Sequence, residues 1–450
     1  MPVEINPYKR IWLQIKKSRQ AKWAVGFIIF LCFLALFADI IANDKPLYCK
    51  HKGKSYYPAF TTSQDSLFNP KAGRAQSFSK VNWQELQLEY VIWPLIPYGS
   101  NDIIDQFHLN EKGKPKSGFM HPFKPQYRGN INLVYEDKGS GELLTGKFRH
   151  LLGTTQDKDI LGVLIHGSRT ALLLGLMVAL IALMIGLTLG AIAGYYGDAH
   201  LRNTRGILLG IIIGIFLGYF YALHIPYPKD PEDLLLWDTL KVILVFSLCL
   251  IFGYLLGNGL SYIPYLKEES AIPIDTYLTR ITEGLTALPG IMIIIALTAI
   301  LPRNTLIGLI ILLSISAWTA IARVTRLEVM RIRSLTYIEA LKAMGASESR
   351  IIFRHILPNA FPPVLIIVSL IIASTILVVT NLAFLELGVP TETYVFWGEL
   401  LTVAKQSGIA SKWWVALFPG LMIFFTILSF NLLGETLRDA LDPRNDIINS

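Results

Sequence analysis

The chain has 450 residues, of which 52% are hydrophobic and only 16% charged, and its mean hydropathy is +0.46. A soluble domain carries nearer a quarter charged residues, so the composition favours a polytopic membrane protein. The net charge of +8 fits cytoplasmic loops better than nucleic-acid binding, and no basic patch is interleaved with aromatics; three cysteines make neither a metal cluster nor a disulfide framework.

Six basic residues, Lys9, Arg10, Lys16, Lys17, Arg19 and Lys22, precede an apolar run from Trp23 to Ile41 broken only by Asp39. A run of roughly 20 residues spans a bilayer. No small-x-small cleavage site follows it, so it reads as a retained anchor. The expected division is a cytoplasmic N-terminus at 1–21 and a first transmembrane helix at 22–41. The polar stretch 42–164 has turn clusters at Asn69-Pro70 and Gly139-Ser140-Gly141 and short apolar-aromatic runs such as Tyr90–Pro97. It is expected to form a small, loop-rich extracytoplasmic domain with some strands. A loop this long is largely exempt from the positive-inside rule, so its lysines do not set orientation.

Thr170–Gly194 is uncharged and long enough to cross, and Gly186, Gly190 and Gly194 place one smooth face along it. Gly206–Leu223 and Leu240–Leu260 read as two further spans. Gly206, Gly210, Gly214 and Gly218 on the first lie opposite Gly253 and Gly257 on the second, predicting a tight hairpin. The connection Pro226–Asp238 is acidic and the flanks hold Arg202, Arg205 and Lys267, which puts the connection outside. Leu285–Leu301 and Ile307–Ile321 make another pair around the short turn Pro302-Arg303-Asn304. Val364–Leu382 and Trp414–Leu433 complete the set, and Pro362-Pro363 suits a helix start. Eight spans result, with both termini cytoplasmic. Arg323, Arg326, Arg331, Arg333, Lys342, Arg350 and Arg354 then concentrate inside.

Within that inner loop, Tyr337–Pro358 predicts a short helix at Ile338–Met344, a stop at Gly345 and a second amphipathic run from Ser347 that Pro358 ends. A short helix there is a docking knob. Glu339 and Ala340, then Gly345, then Ile356-Leu357-Pro358 resemble the EAA loop with which ABC-importer permeases grip their ATPase. Leu341 stands where that family has a second Ala.

Four more stretches carry the same resemblance, to dipeptide/oligopeptide permeases of the C type. They are His150–Thr154 with Asp159 and Leu164–Arg169; Gly194–Gly197; Phe384–Pro390 with Trp397–Leu401, where Glu386 replaces a usual Gly; and Phe418–Gly420 with Asn431–Gly434 and Leu437–Arg444. Asn43–Leu47, Gly53–Pro58 and Pro97–Gly99 look like the Yej-type branch that takes up microcins and peptides.

The resemblance implies an all-α polytopic fold: a six-span type I importer permease core at 165–202 and 272–435, carrying an inserted two-helix hairpin at 203–271. It also implies a cytoplasmic coupling loop at 324–361 and a cytoplasmic C-terminus at 436–450. It implies an ATP-driven bacterial inner-membrane peptide importer that works by alternating access. The partners implied are a second, B-type permease, two ABC ATPase subunits and an extracytoplasmic substrate-binding protein. ATP and Mg are bound by the ATPases, and this chain holds no cofactor or metal. The coupling residues implied are Glu339, Ala340, Leu341, Gly345, Ile356, Leu357 and Pro358.

The residues themselves carry no chemistry for energy or catalysis. No Gly-rich loop ends in Lys-Ser/Thr, so energy must come from another subunit. No ionisable residue lies near a predicted mid-span, since Asp39, Glu283 and Glu386 fall at ends or in loops, which argues against an ion-coupled carrier. Ser168 beside His166 reads as an interfacial pair rather than a nucleophile and base. Pro289, Ser314, Ser316 and Thr319 are candidates for a substrate path, although small hydroxyl residues also join helices. Two alternatives remain: a membrane-anchored binding or sensory protein working through its external domain, and an ABC permease for nickel or another small solute.

Overall fold

A computed structural model describes residues 15–51, 53–60, 66–69, 74–77, 89–99, 119, 121–122, 150–155, 158–199, 202–224, 236–300, 305–387, 389 and 394–441. The turn clusters at Asn69-Pro70 and Gly139-Ser140-Gly141, most of the acidic connection Pro226–Asp238 and the turn Pro302–Asn304 lie wholly or partly outside them. The chain divides into two compact units, Met1–Leu180 with Asn304–Leu313 and Ile366–Ser450, and Ile181–Arg303 with Ser314–Leu365.

In the first unit, α1 (Arg19–Leu36) starts at Ser18, whose hydroxyl accepts the Ala21 N–H at 3.2 Å, and a short α2 (Ala38–Ile41) follows. Trp23 and Phe27 of α1 pack on Phe425 of α13 (Trp413–Leu441) at ring distances of 5.8 and 5.9 Å. Strands occur in the polar stretch. β1 (Tyr48–His51) pairs antiparallel with β2 (Lys54–Tyr56), through Cys49↔Tyr56, and with β5 (Tyr90–Ile92), through Cys49↔Val91. β3 (Ser66–Asn69) and β4 (Arg74–Ser77) form a separate antiparallel pair. Ala38, Ala42, Ile96, Tyr98 and Ile165 make a small core, with Leu34, Ile41 and Leu161 packed on it.

The second span begins earlier than its apolar run. α3 covers Ile160–Tyr196, 37 residues or about 55 Å, against a hydrocarbon core of about 30 Å. Tertiary partners hold the polar residues that follow its apolar first turns. His166 Nε2 lies 2.8 Å from the Ala42 carbonyl, and Arg169 donates to Asp39 at 2.8 Å and to the Ala35 carbonyl at 3.0 Å. The expected boundary at 164/165 therefore falls inside a helix. The Ser168 hydroxyl donates to the Ile165 carbonyl at 2.6 Å, so it is engaged by its own helix.

In the second unit the glycine face of α3 meets α8 (Leu306–Arg333) as its spacing predicts. A methyl on Gly186, Gly190 or Gly194 would stand 2.5–2.7 Å from atoms of Trp318, Ile321, Ala322 or Arg326. β6 (Arg202–Thr204) and β7 (Glu269–Ala271) pair antiparallel and close the stretch between them at its neck. Within it, α4 (Arg205–Gly218), continued by a π-helical turn at Tyr219–His224, packs on α5 (Leu236–Leu260). Gly206, Gly210 and Gly214 meet Gly253 and Gly257 as predicted, whereas Gly218 meets the Phe246 ring.

Three sequence expectations are corrected here. The span Leu285–Leu301 is a bent pair, α6 (Ile274–Ala287) and α7 (Gly290–Ile300), broken at Leu288-Pro289 by 86°. Glu283 lies in α6 about one turn from its end, exposed and ion-paired to Arg280 at 3.2 Å. Pro358 does not end a helix and Pro362-Pro363 do not start one. α10 (Glu348–Arg350), a π-helical turn at Ile351–Ile356 and α11 (Leu357–Phe384) run on continuously, with Pro362 and Pro363 inside. The π turn bonds Leu357 N–H to the Ile352 carbonyl, five residues back, and this widening gives the Pro358 ring room where an α turn would clash.

Among the described residues, five helical runs are long and apolar enough to cross a membrane, six if the bent pair is one span. Arg205–Tyr221 and Leu244–Leu260 are apolar but shorter than 18 residues, and this separates the count from the expected eight.

Candidate functional site

α8 ends in the basic residues Arg331 and Arg333. After two intervening residues α9 (Thr336–Ala343) begins, within two residues of its predicted start. Glu339 lies in its first turn, where a carboxylate favours the helix dipole by roughly 0.3–1 kcal/mol. Ile338 is fully buried, whereas Glu339, Ala340 and Ala343 are exposed and Met344 is 75% exposed. Ile338 thus anchors α9, with Leu341 half-buried on the same side, and Glu339, Ala340 and Ala343 face solvent.

The stop at Gly345 is a Schellman cap. The Ala346 N–H donates to the Leu341 carbonyl at 3.1 Å and the Gly345 N–H to the Lys342 carbonyl at 3.0 Å. Gly345 has φ +76°, a conformation that an L side chain adopts only at a cost. Leu341 and Ala346, the cap's apolar pair, pack on a core of Ala191, Tyr195, Val329, Ile332, Ile338, Ile351, Ile356 and Ala360. Ile356 and Leu357 join that core from beyond the turn, while Pro358 is exposed. The structure therefore brings Leu341, Ile356 and Leu357 together as the support, and presents Glu339, Ala340 and Gly345 on the surface.

The residues singled out for a substrate path are not gathered in this way. Pro289 sits exposed at the break between α6 and α7. Ser314 is 1% and Thr319 4% exposed. The Thr319 hydroxyl donates to the Ser316 carbonyl at 3.3 Å, and the Ser316 hydroxyl is buried with no partner among the described residues.

Other polar groups were not legible as partners in the sequence. In the first unit, buried His150 Nδ1 lies 2.7 Å from Asp159 Oδ2, and Asp159 Oδ1 accepts the Gly162 N–H at 2.8 Å. This pair fastens the entry to α3. The indole N–H of Trp397, in α12 (Trp397–Ser407), donates to the Leu164 carbonyl at 3.0 Å, and that of Trp414 to the Thr154 carbonyl at 3.3 Å. His150, Thr154, Asp159, Leu164 and Trp397 all belong to sequence motifs, but the motifs gave no sign of which would touch. In the second unit, Asp198 accepts from the Thr276 N–H and hydroxyl at 2.9 and 2.7 Å, and those bonds hold its carboxyl below the usual carboxylate range.

Among the described residues, five or six helical runs long and apolar enough to cross a membrane, with an exposed, capped short helix between two of them, define a polytopic membrane protein. Residues 270–447 match the family described as binding-protein-dependent transport system inner membrane component. The chain is accordingly an ABC-transporter permease subunit, a transport component and not an enzyme.

The family match begins at β7, where the hairpin stretch closes. Similarity to single relatives extends further. The chain is 26% identical over 444 residues to a peptidoglycan transport system permease protein YejE of Agrobacterium fabrum, covering 97% of this chain and 93% of that one. It is 25% identical over 440 residues to the inner membrane ABC transporter permease protein YejE of Escherichia coli, covering 97% of each. A glutathione transport system permease protein GsiD of Pectobacterium atrosepticum is 36% identical over 200 residues, 44% of this chain and 64% of that one.

Proposed function

We propose that this chain is one half of the membrane pore of an ATP-driven importer of peptides or peptide-bearing fragments, and that the loop 324–361 is where it couples to its ATPases. The observation that carries the coupling assignment is the α9 knob, anchored at Ile338, closed at Gly345 and open to solvent along Glu339, Ala340 and Met344. Closure of the ATPases on ATP drags α9 and rocks the attached helices between two packings. Glu339 meets a basic group in the ATPase groove. Names borne by relatives, for peptidoglycan, peptide and glutathione transport, support a peptide-like substrate.

The proposed complex adds a B-type permease, two ATPases that bind ATP and Mg, and an external binding protein. Both termini are cytoplasmic, 42–164 faces outward, and the hairpin 203–271 adds two short crossings to the six of the core, making eight. Pro289, Ser314, Ser316 and Thr319 remain the candidates for the path.

A pull-down of the tagged chain from native membranes in mild detergent tests this reading. Recovery of an ATPase and a second permease, lost on changing Glu339 and Gly345, is the expected result. Recovery of the chain alone, or with signalling proteins and indifferent to those changes, would overturn it in favour of a sensory protein.

A further inference from the structure

α9 has eight residues, too few to be stable by itself, so its position is set from outside. Ile338 supplies one apolar anchor. Leu341, one turn on, packs half-buried on the same core, but two apolar contacts on one face leave the tilt of so short a helix to be set by further fixed points.

Those points are two adjacent tyrosines at the end of α3. Tyr195 is 4% exposed and packs in the same core as Ile338. The Lys342 ammonium, on α9 itself, lies 5.5 Å from its ring centroid. The Arg333 guanidinium, at the end of α8, lies 5.6 Å from the same ring and also donates to the Tyr195 carbonyl. Both distances are within the range at which a ring face attracts a cation. Next to it, the Tyr196 hydroxyl donates to Glu348 Oε2 at 3.1 Å, and the two rings meet edge to face at 5.0 Å. Lys342 precedes Gly345 and Glu348 follows it. The tyrosine pair therefore grips both sides of the turn that ends α9.

We propose that Tyr195 is the positioning residue of α9: its ring holds Lys342 and Arg333 and fixes the angle at which the exposed face is offered, with Tyr196 fixing the far side of the turn through Glu348. The functional importance of that angle rests on the coupling role proposed above, whereas the clamp itself does not.

Amide exchange in the purified full-length chain, by mass spectrometry, separates the two. In Tyr195→Leu, which keeps an apolar side chain but loses the ring, exchange over Thr336–Ala343 should quicken about tenfold, because the ring's attraction for both cations is removed. Tyr195→Phe should exchange like the wild type because the ring remains, and Lys342→Met should fall between. Trp413–Leu441 should be unchanged in all three, which guards against general unfolding. Recovery of the ATPase in the pull-down should fall in Tyr195→Leu and return in Tyr195→Phe. Equal exchange in Tyr195→Leu and wild type, or equal quickening in Tyr195→Phe and Tyr195→Leu, would sink the clamp and leave the importer reading standing. Failure of the wild-type chain to retain any ATPase, with the exchange pattern as expected, would do the reverse.

Discussion

Gly210 and Gly253 touch backbone to backbone: a methyl on Gly210 would stand 2.2 Å from the Gly253 carbonyl oxygen, and one on Gly253 2.4 Å from that of Gly210. Carbonyl groups held by two helices cannot move aside as a flexible side chain could. Gly210→Leu should therefore part α4 from α5, at a cost of about 1–3 kcal/mol or more. Amide exchange over Arg205–Gly218 should rise at least tenfold while that of α13 holds. An unchanged rate would mean the hairpin is not held by this contact.

Gly345→Asp should separate presence from function. No atom lies within 4 Å of a Cβ added at Gly345, so nothing is overpacked. The cost is conformational, roughly 1–2 kcal/mol for an L residue in the left-handed region, and it falls on the cap that ends α9. The chain should reach the membrane in normal amount and import should stop. Import at the normal rate would remove the coupling assignment from this loop.

A second Schellman cap ends α11, and here the left-handed residue is Glu386, with φ +59°. Its N–H donates to the Ala383 carbonyl at 3.1 Å and the Leu387 N–H to the Leu382 carbonyl at 2.9 Å. Glu386→Gly relieves roughly 1–2 kcal/mol of backbone strain and returns about 0.4–1 through the looser unfolded chain. The exposed bond from Gln406 to Glu386 at 2.9 Å is also lost. The net expectation is a small gain, about 0.5 kcal/mol, seen as a higher Tm in detergent. A lower Tm would show that the Gln406 bond outweighs the strain.

Cys49 is buried on β1, and burial pushes its thiol up to about 11. The thiolate is the reactive species, so at pH 8 Cys49 should alkylate about a hundredfold more slowly than a free thiol. Its rate should climb as pH rises toward 11. Mass spectrometry after brief iodoacetamide treatment reads this. Rapid labelling of Cys49 at pH 8 in the folded chain would place it at an open surface.

Features fixed by spacing were legible in the sequence. The four-residue rhythm of Gly186, Gly190 and Gly194 found a neighbour, and Gly345 closed its helix, because both depend only on which residues lack a side chain. Features fixed by distant partners were not. His166–Arg169 lies outside the uncharged run of its span until His166 and Arg169 are seen to meet Ala42, Ala35 and Asp39. Pro358 looks like a terminator until the π turn before it is seen, and Glu386 looks unsuited to a glycine site until its cap bonds are counted. The exposed face of α9 follows from its motif, but in the sequence the tyrosines beneath it mark only the end of a span.

Arg202 faces Ala271, Asn203 faces Ser270 and Thr204 faces Glu269 across the β6–β7 ladder. The chain leaves and re-enters at adjoining points, and the family match begins at the returning strand. Everything beyond that ladder is a cassette on a stem. An ancestor could acquire it, lengthen it or discard it by changes at one place, without rerouting a single core helix, and a two-residue turn joining β6 to β7 would suffice to excise it.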